Sequence, residues 1–425
     1  MRGSGGSVVR ALALVGLLLL APIGTVASGC GDDVPADGAT KTAGLPPLAD
    51  FKLVEVPFES RVQFTDDRVV WREELTPDSS GNGTLDVMSH DIASDATDVD
   101  KWLTGLFAGR EIQEWVLAGD RVAWIDTSMR NEAAGGGGVF VGTRVYTALR
   151  DDDQPQAISP LSWGVSGDTG GYEPAAWRLT SNGSLIAWYG ARIELLPDWT
   201  DVKVIDPERL WVWDATDGTR HRLPGAMDEQ LQALAGRQVV TTVTRFPESE
   251  EIVAPTISVR DMATDALRLI ENDVPVADPG SANERTFVWT VLPAEATDLV
   301  DADLAACDLE SGEVFTVSDA PGGQTTPAVD GDLVVWVDTP LYYFSPSPDG
   351  SYPPRTLHGM QLSSRTESTL VAGPPSSASE DSDLDQLQLI GDRLFWTVQR
   401  VGGCTAYGAK VVADSGGLKL EPLQD

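Results

Sequence analysis

A chain of 425 residues with 65 Asp and Glu against 30 Lys and Arg carries a net charge of −35, a field that repels phosphate backbones and excludes nucleic acid as a partner. With 42% hydrophobic and 22% charged residues the chain can bury a core, so the acidity belongs to a folded surface and not to a disordered tail. The three Cys and three His show no Cys-x-x-Cys pair and no metal-ligand spacing, which excludes a disulfide framework and a structural zinc site.

The first elements are an address. Arg2 and Arg10 precede an apolar run from Ala11 to Gly24, too short to span a bilayer comfortably, and the run ends in small residues. This is the layout of a secretory signal. Val26-Ala27-Ser28-Gly29-Cys30 resembles a bacterial lipobox, with Ala27 where Leu is usual. The resemblance implies cleavage before Cys30 and acylation of its thiol; an ordinary cleaved signal is the other reading. Gly31, in place of the Asp that favours inner-membrane retention, implies sorting to the outer membrane. Acyl chains on Cys30 would then be the only membrane attachment of a body whose own charge repels lipid headgroups. Residues 31–47 are Gly, Pro, Ala and Asp without apolar periodicity, a flexible spacer. The expected organisation is a signal over 1–29, an anchored spacer over 30–50 and one domain over 51–425.

That domain is a repeat. A small turn followed by an apolar strand ending in Trp recurs at Trp71, Trp124, Trp188, Trp289, Trp336 and Trp396, and a degraded copy places Thr241 in the same slot. Successive slots lie 47 to 64 residues apart. Each unit adds a leading strand before the turn and two more after the Trp strand, as in the stretch from Arg209 to Gly225. Four short strands per such period predict an all-β fold, a seven-bladed β-propeller of four-stranded antiparallel blades. Val69, Val70 and Trp71 are apolar at successive positions, so both faces of that strand must be covered, as they are when each sheet packs between two others. The repeat Trp residues are therefore expected in the core, not at a ligand. Two segments compete for the edge that closes the ring, Phe51–Phe58 and Leu418–Leu423.

Thr325-Thr326-Pro327-Ala328-Val329-Asp330-Gly331-Asp332-Leu333-Val334-Val335-Trp336 resembles the repeat of the TolB-like β-propellers of bacterial envelopes. The resemblance runs from about residue 57 to 423 and implies the propeller and an envelope setting. Only a spacer separates Cys30 from the first repeat, where the Tol protein has an α/β domain, so the Tol role does not follow.

Loop length points to a face. The segment after the Trp strand is long in most units, Gln399 to Gly408 in the last being counted among them, and all such segments emerge at one end because strand direction alternates. Binding residues accumulate on such loops. The blade-six loop offers Tyr342, Tyr343, Phe344 and Tyr352 among four Pro, and blade three offers Trp199 beside Asp198, with Trp163 and Trp177 assigned to the preceding connection. Stiff aromatic loops suit protein or sugar contact, although the rings also suit pinning the loops down.

Chemistry is sparse. His90, His221 and His358 fall in different blades, and no Gly-x-Ser-x-Gly elbow accompanies them. The acidic groups at Asp298, Asp301 and Asp303, at Asp151 to Asp153, and at Asp381, Asp383 and Asp385 lack calcium-loop spacing. The Gly135 to Gly138 run lacks the Lys of a phosphate cradle. Cys307 on a strand of blade five and Cys404 in a loop of blade seven are expected as isolated thiols. No catalytic set, metal or cofactor is assigned. The expectation is a lipid-anchored envelope platform that binds protein through its long-loop face, the alternative being a propeller enzyme or lectin acting on envelope or extracellular polysaccharide.

Overall fold

The computed structural model describes residues 45–57, 61–74, 85–132, 139–150, 152, 154–165, 175–195, 202–224, 229–243, 256–271, 280–291, 302–340, 351–373, 376–377, 383–400, 403–415 and 417–423. These build seven antiparallel sheets, one per predicted repeat. From the axis outward, blade one is Gln63–Phe64, Arg68–Glu74, Leu85–Asp91 and Ala96–Val99. Blade two is Ile112–Ala118, Arg121–Glu132 and Val139–Leu149, its outer edge divided between Gln156–Ala157 and Ser162–Val165. Blade three is Ala176–Ser181, Leu185–Leu195, Val202–Asp214 and Arg220–Leu223; blade four is Gln230–Ala235, Gln238–Val243, Thr256–Asp261 and Leu267–Ile270. Blade five is Ser281–Ala282, Thr286–Val291, Asp303–Asp308 and Val314–Ser318; blade six is Gly323–Asp330, Leu333–Thr339, Thr356–Gln361 and Thr366–Ala372. Blade seven has three strands from its own repeat, Asp383–Ile390, Arg393–Arg400 and Gly403–Asp414.

Both competing segments complete blade seven. Lys52–Val56 pairs with Cys404 to Tyr407, and Gly417–Pro422 pairs with Ala409 to Asp414, so the two ends of the domain share one strand edge. Gly408 lies at the junction. A Cβ there would come within 2.8 Å of both Leu53 and Leu423 and 3.1 Å of Phe395, so the missing side chain is what lets two leucines from opposite ends of the domain meet.

The core is seven apolar clusters, each drawn from two neighbouring blades, the last joining blade seven to blade one. Every repeat Trp is buried and packs toward the preceding blade. Removing one such ring costs about 3–5 kcal/mol. The second strand of blade five, Thr286–Val291, is buried at all six positions, the two-sided burial that its unbroken apolar run demands.

Some local features were not foreseen. A short helix, Lys101–Phe107, joins blades one and two; Asp100 caps it by accepting from Leu103 N–H at 3.0 Å, and Phe107 sets its ring edge against Trp115 and Trp124. The inner strands of blades three, six and seven bulge at Arg178, Thr326 and Gln386, each with φ near +50°, a left-handed backbone that is unusual for residues with a Cβ. Three placements differ from expectation. Cys404 lies on a strand and is buried, because its neighbours pair on both sides with blade-seven strands. Gln399 pairs with Cys404 and Arg400 with Gly403, so the blade-seven connection is a tight turn and not a long loop. Trp163 sits on the outer strand of blade two over Gly142, and Trp177 on the inner strand of blade three, so neither belongs to a connection.

Candidate binding site at the channel mouth

The turns between first and second strands are built from the small polar residues of the repeat. Asn182 Oδ1 accepts from the N–H groups of Ser184 and Leu185 at 3.1 and 2.9 Å, while its Nδ2 donates to the carbonyl of Gly236, in the next blade's turn, at 2.8 Å. Asn283 repeats the arrangement, accepting from Arg285 and Thr286 and donating to the Gly331 carbonyl at 2.9 Å. Gly236 and Gly331 have φ of +57° and +52°, the conformation that their turns require and that glycine supplies without strain. Asp330 Oδ2 accepts from Gly391 N–H at 2.6 Å, carrying the stitching to blade seven. Arg393 donates to the Asp66 carbonyl and closes it onto blade one.

A second set of turns joins third to fourth strands. Asp91, Asp214, Asp261 and Asp308 each accept from N–H groups two or three residues on, and each turn ends in a left-handed residue, Asp95, Gly218, Asp265 or Gly312. This is the Asx-turn chemistry of Asp. The repeated stretches DATDG, DMATD and DLESG were the signal that could have revealed it.

Both sets of turns open on one end of the channel. They surround a cavity of about 1630 Å³ to which all seven blades contribute. Its lining holds eight carboxylates, among them Asp66, Asp67, Asp120, Glu284, Asp330 and Asp332, against Arg68, Arg285 and Arg365. These charges are held in place. Asp308 accepts from Ser311 N–H at 2.7 Å and from Arg285 Nε at 3.1 Å, and its carboxyl is kept below the usual range chiefly by that Ser311 amide. Asp332 is fixed by the amide and hydroxyl of Ser363 at 2.8 and 2.5 Å. The lowered Asp308 carboxyl favours the charged form, which suits charge recognition.

The opposite end carries the long connections. There the second and third strands of blade two, Arg121–Glu132 and Val139–Leu149, and of blade three, Leu185–Leu195 and Val202–Asp214, continue as paired ribbons. Ser162 ties them together, donating its hydroxyl to the Ala191 carbonyl at 2.6 Å and accepting from Ile193 N–H at 2.9 Å. Of the residues predicted for this face, Asp198, Trp199, Tyr342, Tyr343 and Phe344 lie outside the described residues, as does Cys30, the predicted lipidation site. The backbone of Tyr352 is described: Ser351–Tyr352 pairs with Ser376–Ser377 and fixes the end of the blade-six loop.

The histidines belong to separate blades. His358 lies on the third strand of blade six, 2.8 Å from Glu367 and beside Trp336. His90 on blade one is kept below the usual histidine range by burial, and His221 on blade three bonds Thr219 at 3.0 Å. Among the described residues no three His, Cys, Asp or Glu are grouped to hold a metal ion.

No family profile matches the chain, and no curated protein sequence matches it. Solved structures do. The β-propeller domain of the trilobed protease from Pyrococcus furiosus is similar at a TM-score of 0.51 and 9% identity, over 87% of this chain and 96% of that one. The acylaminoacyl peptidase of Pyrococcus horikoshii is similar at 0.48 and 10% identity, over 87% of this chain and 52% of the peptidase. TolB from Acinetobacter baumannii is similar at 0.34 and 12% identity, over 85% and 82%. At 9% identity the likeness to the first of these is one of fold, the propeller that the repeats predict.

Proposed function

We propose that the chain is a lipid-anchored binding platform of the bacterial envelope, without catalytic activity, that captures a partner protein by a basic segment seated in the acidic channel mouth. The observation that carries this reading is the convergence of turns from all seven blades on one cavity rimmed by eight carboxylates and three arginines. Turns fixed by bonds between blades present their charges in a preset arrangement, so little ordering is lost when a partner binds. The excess of carboxylates matches Lys or Arg and supports long-range attraction that falls with salt.

The test uses the intact chain and a fluorescent oligolysine peptide, followed by anisotropy. Asp67→Lys with Asp332→Lys should abolish binding and remove its salt dependence, and should also abolish capture of partners from detergent-solubilised envelopes. Undiminished binding by the doubly reversed chain would sink the assignment.

A second reading, contact through Tyr342, Tyr343, Phe344 and Tyr352 with Trp199 and Asp198 nearby, draws on the Ser351–Tyr352 ladder, which gives that loop a fixed base. Replacing residues 342–352 by a Gly-Ser turn removes capture on this reading and leaves oligolysine binding intact. Anchorage through Cys30, with the outer membrane as the proposed location, requires that Cys30→Ser abolish incorporation of labelled palmitate.

A further inference from the structure

On the other end of the propeller, between the Lys101–Phe107 helix and the base of the blade-two ribbon, lies a cleft of about 340 Å³. Its walls are Arg110, Tyr146, Met129 and Gly142, and Arg144 and Asp126 stand within it. Strand register places Asp126 opposite Arg144 and Trp124 opposite Tyr146, two pairs on one face of the sheet.

Asp126 is not the partner of Arg144. Its Oδ2 accepts from Arg110 Nη1 at 2.7 Å, and its Oδ1 accepts from Ser128 N–H at 2.8 Å and from the Ser128 hydroxyl. The Arg110 guanidinium is in turn held over the Tyr146 and Trp124 rings, at 5.2 and 5.9 Å. Arg110 and Asp126 therefore cancel, and the charge of Arg144 is left over. Arg144 Nε is buried and meets no hydrogen-bond acceptor among the described residues. In a chain with 65 acidic and 30 basic residues, a half-buried arginine with no acid paired to it among the described residues stands out.

We infer that this cleft is a carboxylate-binding site centred on Arg144. A guanidinium presents a planar fork that matches a carboxylate with two parallel hydrogen bonds. Tyr146 and the half-exposed Met129 supply an apolar wall for the carbon skeleton behind the acid. The volume lies at the small end of ligand pockets. Asp126 beside the site disfavours a head that carries two charges on one centre, such as phosphate, since the described residues of the cleft sum to one positive unit. The inference is independent of the acidic mouth.

Two sources share this chemistry, a free small acid and the C-terminus of a peptide. The test records the side-chain Nε–Hε resonance of Arg144 in the ¹⁵N-labelled intact chain, assigned with Arg144→Gln. Probes are succinate, tri-alanine and tri-alanine amide, with sodium chloride at matched ionic strength. Succinate or tri-alanine should move the resonance with a dissociation constant on the order of 1 mM, the amide should not, and Arg144→Gln, followed by the backbone amides of Gly142 and Tyr146, should weaken binding roughly tenfold or more. Tri-alanine binding well above succinate marks a peptide terminus, and the reverse marks a free acid. Arg144→Lys, which keeps the charge and loses the fork, should bind more weakly than the parent chain and serves if the Gln variant does not fold. Shifts equal to those in sodium chloride, or none with either acid, would overturn the inference.

Discussion

Tyr189 of blade three reaches into the space where blade four has Thr241 instead of the repeat Trp. Its hydroxyl donates to the Glu229 carbonyl at 3.2 Å and accepts from the N–H of Leu231, the residue paired with Thr241. The ring is fully buried in the cluster between these blades. Thr241→Trp should overpack this interface at a cost of about 1–3 kcal/mol. The Tyr189→Ala, Thr241→Trp double variant should cost less than the sum of its singles, since the new ring takes the vacated space. Urea unfolding of the four chains measures this; strict additivity would contradict it.

Gly408 is expected to be intolerant. Alanine there meets Leu53, Leu423 and Phe395 together, so Gly408→Ala should destabilise by about 1–3 kcal/mol and Gly408→Val by more. The readout is a lower urea midpoint at unchanged slope.

Asn283 separates a local role from a role between blades. Asn283→Asp keeps the acceptor for Arg285 and Thr286 N–H but loses the donor to the Gly331 carbonyl, whereas Asn283→Ala loses both. The Asp variant should cost about 1 kcal/mol and the Ala variant roughly twice that. An Asp variant as stable as the parent chain would show that the bond to the next blade contributes nothing, and equal losses in both variants would show the same of the local acceptor.

Asp338 gives a pH signature. Burial pushes its carboxyl above the ordinary value, partly offset by the hydrogen bond from Gln324 Nε2 at 3.0 Å. A carboxyl raised in the folded state stabilises fully only below its unfolded value and loses that stability as pH climbs through the folded one. Asp338→Asn should therefore be more stable than the parent chain at neutral pH, and the difference should vanish as pH falls through the ordinary carboxylate range. Thermal midpoints across pH measure it, and a gain that persists in acid would refute the cause.

The Cys307 thiol, pushed up to about 11 chiefly by burial, should resist iodoacetamide in the native chain and react on unfolding, because the thiolate is the nucleophile. Cys404, also buried, should behave alike. Mass spectrometry of alkylated chains decides.

The propeller was legible in the sequence because its main force leaves a periodic mark: a strand buried on both faces needs a run such as Phe287-Val288-Trp289. Even the substitution at Thr241 was visible. The channel mouth was not. Gly-Asp and Asn-Gly read as turns one at a time, and only the closed ring brings seven of them around one cavity, while loop length drew attention to the other end. The helix from Lys101 to Phe107 is too short to show a period. The bulges at Arg178, Thr326 and Gln386 follow from how inner strands meet around the axis, which local propensity does not encode. Arg144 read as one basic residue among 30; its isolation is a matter of what Asp126 is already holding.

Lys52–Val56 has no strand to pair with until Cys404 to Tyr407 exists. During synthesis the first ordered strand of the domain must wait, unpaired, while six blades and most of a seventh are made. Contacts so distant in sequence form late and slowly. A chain that is released early thus lacks a closed ring however well its blades are formed, and its blade-one edge stays open to mispairing. Export before folding would spare the cell that interval, since the ring then closes only where the whole chain has arrived.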